Sequence, residues 1–318
     1  MTHKFLQTSE IYGKTLVELG DFNENIFVVE ADLMKASGSI PFKEKYPQRH
    51  INVGVAEQNL VGVAAGLASM GKIPFACTMS NFISQRASDQ VTISVAFNKF
   101  NVKLIGCFAG LSQEKNGGTH ISIMDIAVMR CLPNMQVVVP ADRKELIKVL
   151  KEVAKFEGPV YVRMSRNLPD SLFDDTYDYN LFKGYVIGDG CDLTIVSTGI
   201  TTSIAIDALS ALLSENIRAR VLHLPNIKPI DKDLIIKCAE ETKAMITLED
   251  HSIFGGLGSL VSEILSEYYP TPIYRIGLKD VFGITASLDF QLSYFGLSVE
   301  NIIFQSKNIL SKKLKSTK

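Results

Sequence analysis

Apolar and polar positions divide the chain into short apolar runs separated by stretches with a helical repeat. IFVVE (26–30), KIPFAC (72–77), VKLIGCF (102–108), QVVVP (136–140) and PVYVRM (159–164) are apolar-rich runs, too short for helices. Their apolar residues are continuous rather than alternating, as in strands of a parallel sheet covered on both faces. Between them, Glu57 to Met70 predicts a helix stopped by Gly71. ADRKELIKVLKEVAKFEG predicts another, with Asp142 as N-cap, Glu145 three residues on, and Gly158 as the stop. Residues 165–185, SRNLPDSLFDDTYDYNLFKGY, hold four Asp and a Pro with no sustained period. The alternation then restarts: DLTIVSTG, IRARVLHLP and MITLED read as strands and SIAIDALSALLSEN as a helix. The expectation is an α/β protein of two domains, 1–170 and 186–318, with mostly parallel sheets flanked by helices and a linker at 171–185.

Composition narrows the function classes. Thirty-three basic and 34 acidic residues leave a net charge of -1 over 318 residues, which predicts neither nucleic acid nor an anionic membrane as partner. The start lacks a signal-peptide apolar core, and no uninterrupted apolar run reaches the roughly 18 residues that span a bilayer. Cysteines 77, 107, 131, 191 and 238 form no C-x-x-C pair and read as reduced core residues of a cytoplasmic protein. The Lys-rich end, KNILSKKLKSTK, reads as a frayed, solvated tail.

One carboxylate conflicts with its surroundings. Glu57 lies in NVGVAEQNLVGVAAGLA, a composition that belongs inside a protein. An ionised group there is costly unless compensated. It either caps its own helix or serves chemistry, and Gly62 and Gly66 leave room for a neighbouring element. Gly188-Asp189-Gly190 followed by Asn216 resembles the metal–diphosphate motif of thiamine diphosphate enzymes. That motif needs its Gly-Asp-Gly at a strand's carboxyl end, whereas here the strand comes after it, so we read a turn. LEDHSIFGGLGS, with Glu249, His251, Gly255 and Gly256, has the strand–Gly–helix form of an anion site.

In order along the chain, VGVAEQN, AGLSQEKNGGTH, LPNMQVVVPAD, GPVYVRMSR and LEDHSIFGGLGS resemble the C-terminal half of transketolases. The resemblance covers essentially the whole chain. It implies a thiamine diphosphate pyrimidine-binding domain followed by the transketolase C-terminal domain, which in that family serves assembly rather than catalysis. It implies the second subunit of a split, two-gene enzyme that moves a two-carbon ketol unit from a ketose to an aldose. The N-terminal partner subunit would carry the diphosphate-binding domain, share thiamine diphosphate and hold Mg2+ or Ca2+. A homodimer core and a heterotetramer are expected. Alternatives are the β subunit of a 2-oxo acid dehydrogenase, a deoxyxylulose-phosphate-synthase-like enzyme, or a non-catalytic assembly subunit.

Carried residue by residue, the resemblance makes Glu57 the acid that hydrogen-bonds the cofactor's pyrimidine nitrogen, and Phe82 the ring on which the pyrimidine stacks. Asp32 matches an acid near the thiazolium, His120 the catalytic histidine, and Arg166 a substrate-phosphate contact. Departures are equally specific. Asn116 stands where the family has Asp, Phe108 replaces a phosphate-contacting His, and Ala36, beside Ser37, replaces a phosphate-contacting Ser. Met79 and Gln85 take the places of two aromatics around the cofactor. Phe cannot supply the charge-assisted donor that an imidazole gives a phosphate. The expected substrate is therefore a modified, deoxy or unphosphorylated sugar or sugar phosphate, bound by Phe108, Asn116, His120 and Arg166.

Overall fold

A computed structural model of the chain describes residues 3–174 and 176–316. The predicted strands form, as Ile26–Glu30, Ile73–Met79, Lys103–Cys107, Gln136–Val138 and Val160–Met164. They belong to one seven-stranded sheet, in the order Asn226–Lys228, Gln136–Val138, Val160–Met164, Lys103–Cys107, Ile73–Met79, Ile26–Glu30, His50–Asn52. All pairs are parallel except the first. A parallel sheet aligns its carboxyl ends along one edge, and the loops leaving that edge carry most of the candidate residues. Asp32 follows Glu30, Glu57 follows Asn52, Phe82 follows Met79, Phe108 follows Cys107, and Arg166 follows Met164.

The helix Arg143–Lys155 starts as the sequence predicts. The Asp142 carboxylate accepts from the Glu145 N–H at 2.7 Å, and Glu145 reaches back to the Ala141 N–H at 2.6 Å. The second sheet holds Ile273–Leu278, Met245–Ser252, Leu193–Ser197 and Ala219–His223 in parallel, with Tyr185–Ile187 antiparallel at the edge. Gly188 to Gly190 lies between two of its strands, with Gly188 at φ +81°, and Asn216 lies past the end of helix Thr201–Ser214.

The two sheets are joined by one crossing strand and by buried charge. Asn226–Lys228, from the second half of the chain, closes one edge of the first sheet. Arg163, fully buried, donates through Nε to Asp125 at 2.8 Å and through Nη1 to Asp250 at 2.6 Å. Within 171–185, Tyr177 and Tyr179 are buried, with the Tyr177 hydroxyl donating to Glu145 and the Tyr179 hydroxyl to Asn226.

Three expectations need correction. The Lys-rich end is not frayed as far as it is described: helix Val299–Ser316 runs through it with Ile309 buried, while residues 317–318 lie outside the described residues. Only three cysteines are core; Cys131 and Cys191 are exposed. The Gly-rich turn before helix Leu257–Tyr268 offers no open anion site, because Glu249 already accepts from the Leu257 and Gly258 amides at 2.7 and 2.8 Å.

Candidate active site

Glu57 opens the helix Glu57–Ser69 and is 3% exposed. It does not cap that helix, whose N-cap is Ala56. Its Oε2 instead accepts from Arg86 Nη1 at 2.8 Å. A cation from the next loop thereby compensates the buried charge. Arg86 is itself about half exposed, so the pair stands at the protein surface rather than deep in the core.

Arg86 belongs to the π-helical stretch Phe82–Arg86, in which one turn brings Phe82 and Arg86 together. The guanidinium carbon lies 4.1 Å from the Phe82 ring centroid, in cation–π contact. The other neighbour of Phe82 is His120, edge-on with centroids 5.1 Å apart and planes at 70°. Asn81 Nδ2 donates to the Thr119 carbonyl at 2.8 Å, tying the His120 turn to the start of the Phe82 helix. Thr119 Oγ1 lies 2.9 Å from His120 Nδ1. Glu57, Arg86, Phe82 and His120 thus form an unbroken line of contacts across three loops.

Gln85 is exposed and donates to Asn81 Oδ1 at 2.6 Å. Asp32 is exposed and sits in left-handed backbone at φ 60°. Its carboxylate accepts from Asn52 Nδ2 at 3.1 Å, and its N–H donates to Asn52 Oδ1 at 3.0 Å. This pair joins the ends of two neighbouring strands. Asn116 is exposed on the Leu111–Asn116 turn, and Met79 Sδ accepts from Gln113.

A second group lines a pocket of about 340 Å³: Phe108, Ala36, Arg166, Lys35, Thr8 and Ser9. The structure therefore gathers three of the positions at which the sequence expects substrate contacts. Arg166 lies 5.6 Å from the Phe108 ring centroid. Phe108 itself is at φ 55°, a conformation that bulky residues rarely adopt and that clusters at functional sites.

Arg86 and Lys35 were not legible as site residues. The first had a signal, since it lies four residues after Phe82; the second sits three residues after Asp32 with nothing to distinguish it from a solvated lysine. Glu30 was missed as well, because its buried carboxylate ends a strand that reads as wholly structural.

Two family models account for most of the chain: the transketolase pyrimidine-binding domain over residues 4–170 and the transketolase C-terminal domain over 183–302. The chain belongs to the transketolase family. It is 38% identical to the 6-deoxy-6-sulfo-D-fructose transketolase subunit of Clostridium sp. (strain MSTE9), across 96% of this chain and 94% of that one. It is 37% identical to one of the subunits of the apulose-4-phosphate transketolase of Phocaeicola vulgatus, across 95% of this chain and 97% of the relative. A solved split-gene transketolase, described as an inactive beta4 tetramer, superimposes with a TM-score of 0.89 at 42% identity, covering 96% of this chain and 99% of that one.

Among the described residues, no three His, Cys, Asp or Glu converge as metal ligands, and no helix is long and apolar enough to cross a membrane.

Proposed function

We propose that this chain is the pyrimidine-binding, C-terminal subunit of a two-subunit, thiamine diphosphate-dependent transketolase acting on a non-standard sugar. The observation that carries the reading is the contact line Glu57–Arg86–Phe82–His120 at the carboxyl edge of the first sheet. A buried carboxylate, an aromatic ring and an imidazole suit the aminopyrimidine half of the cofactor. When bound, thiamine diphosphate supplies a nucleophilic carbon that cleaves a ketose next to its carbonyl.

The chain's own residues have separate tasks. Glu57 would exchange its Arg86 partner for the pyrimidine nitrogen, and Phe82 would offer the pyrimidine a stacking surface. His120 would donate to the substrate's carbonyl oxygen and relay a proton there. Asp32, fixed by Asn52, sits at the junction with the partner, and Gln85 borders the cofactor. Asn116 contacts a substrate hydroxyl. The diphosphate and its Mg2+ or Ca2+ fall to the partner subunit.

The sugar's far end falls in the pocket of Phe108 and Arg166. Lys35 and Arg166 supply positive charge there, while Phe108 and Ala36 present apolar wall. Cations on an apolar wall suit an anionic terminus held without the imidazole donor that the resemblance leads one to expect. The names of the relatives, a 6-deoxy-6-sulfo-D-fructose enzyme and an apulose-4-phosphate enzyme, support a non-standard ketose.

Helix Glu57–Ser69 supports the assembly. A Cβ at Gly62 or Gly66 would meet nothing within 4 Å, so the expected neighbour is not within this chain. The adjoining helical stretch leaves Ile93 and Phe97 56% and 76% exposed. A second copy covering this face gives the homodimer core of a heterotetramer. The protein works in the cytoplasm.

Co-expression with a subunit carrying the diphosphate-binding domain, followed by a screen of ketose donors, tests the reading. Cofactor-dependent cleavage should favour sugars altered at the terminal carbon; a strong preference for xylulose 5-phosphate would sink the substrate assignment.

A further inference from the structure

The C-terminal domain touches the loop that carries His120 at several points. Gln291, fully buried in helix Leu288–Tyr294, donates through Nε2 to the Leu111 carbonyl at 3.3 Å and to the Ala286 carbonyl at 3.2 Å. The Ala286 N–H donates to the Glu114 carbonyl, and the Leu288 N–H to Glu114 Oε1, both at 3.3 Å. Glu114 thereby takes up, with its side chain, the first amide of a helix of the other domain.

Its backbone is at φ 55°, ψ -81°, a strained conformation for a non-glycine residue that persists only where its surroundings hold it. The loop beyond it is pressed against the same segment. A Cβ at Gly117 would come within 2.7 Å of Thr285 Oγ1, and one at Gly118 within 2.8 Å of the Gly283 carbonyl. Ile121 packs on Gly283. Within the turn, the His120 and Ile121 amides both donate to the Gly117 carbonyl, at 3.0 and 3.1 Å.

We infer that residues 283–291 of the C-terminal domain are the seat of the His120 loop, and that Glu114 and Gln291 are positioning residues for His120. The first domain holds the turn on one side, through Asn81. Contact from the C-terminal domain fixes the other side and leaves the imidazole edge-on to Phe82. The domain therefore has a part in turnover beyond assembly. This inference rests on the reading of His120 as a catalytic residue.

Two measurements test it. Hydrogen exchange on the isolated chain reports the loop without any need for activity. In Gln291→Leu, which keeps the bulk and removes the donors, the amides of 117–121 should exchange roughly tenfold faster. Strand Lys103–Cys107 should be unchanged. Glu114→Ala should act likewise, and Glu114→Gln, which keeps an acceptor oxygen, should restore slow exchange. In the reconstituted complex, kcat should fall about tenfold in Gln291→Leu with KM for the donor held. Unchanged exchange at 117–121 would overturn the proposal, as would an equal rise in the sheet, which marks a merely stabilising contact. If the unaltered complex transfers no ketol at all, the functional reading fails, while exchange at 117–121 still decides whether this segment seats the loop.

Discussion

Two buried carboxylates at the carboxyl edge of the first sheet are compensated in different ways. Glu57 takes a guanidinium, from a residue that also covers Phe82. Glu30 takes a hydroxyl instead: Ser37 Oγ donates to its Oε1 at 2.7 Å, and burial pushes its carboxyl up to about 7. A carboxyl raised in the fold holds its proton there after the unfolded chain has released it. Its stabilising contribution is complete below about 4.5 and is lost as pH rises through about 7. Such a shift corresponds to something on the order of 3 kcal/mol. Glu249, raised to about 7 by its own burial, titrates in the same window and leaves a residual slope. His50 and His251, lowered to about 4 by burial, and Lys103, lowered to about 7, slope the other way. We therefore predict a difference: the Tm of the unaltered chain relative to Glu30→Gln, which retains an acceptor for Ser37, should fall between pH 5 and pH 7. An identical pH profile in the variant would refute it.

At the scale of elements, most of the fold was legible, because buried parallel strands announce themselves as continuous apolar runs and well-capped helices carry local signals. Asp142 is the clearest case, and it does more than the sequence could show. Its Oδ2 also accepts from the Leu172 N–H at 2.6 Å, across 30 residues of chain. Asp142→Ala should therefore cost about 1–2 kcal/mol, read as a lower denaturation midpoint, and an unchanged midpoint would show that the cap is dispensable. What escaped the sequence was non-local. Phe5–Gln7 pairs with Asn167–Pro169, and Asn226–Lys228 with Gln136–Val138. Three-residue strands carry too little periodicity to be seen before their partners are known. The candidate site divides in the same way. Glu57, Phe82 and His120 lay inside recognisable motifs, whereas Arg86 and Lys35 gain meaning only from what they touch.

For the whole molecule, the parallel sheet brings loops from five strand ends to one edge, and the second domain braces one of them. The chain contributes a carboxylate, an aromatic ring and an imidazole, together with the pocket that the proposed function assigns to the sugar's far end. On the proposed function, the diphosphate half of the chemistry belongs to a partner subunit. The central claim is that Glu57 is the acid that engages the cofactor, and one substitution addresses it. In the complex reconstituted with the diphosphate-binding subunit, Glu57→Gln should lower ketol-transfer turnover by at least about a hundredfold, while sedimentation shows the assembly intact. Turnover close to that of the unaltered complex would contradict the account.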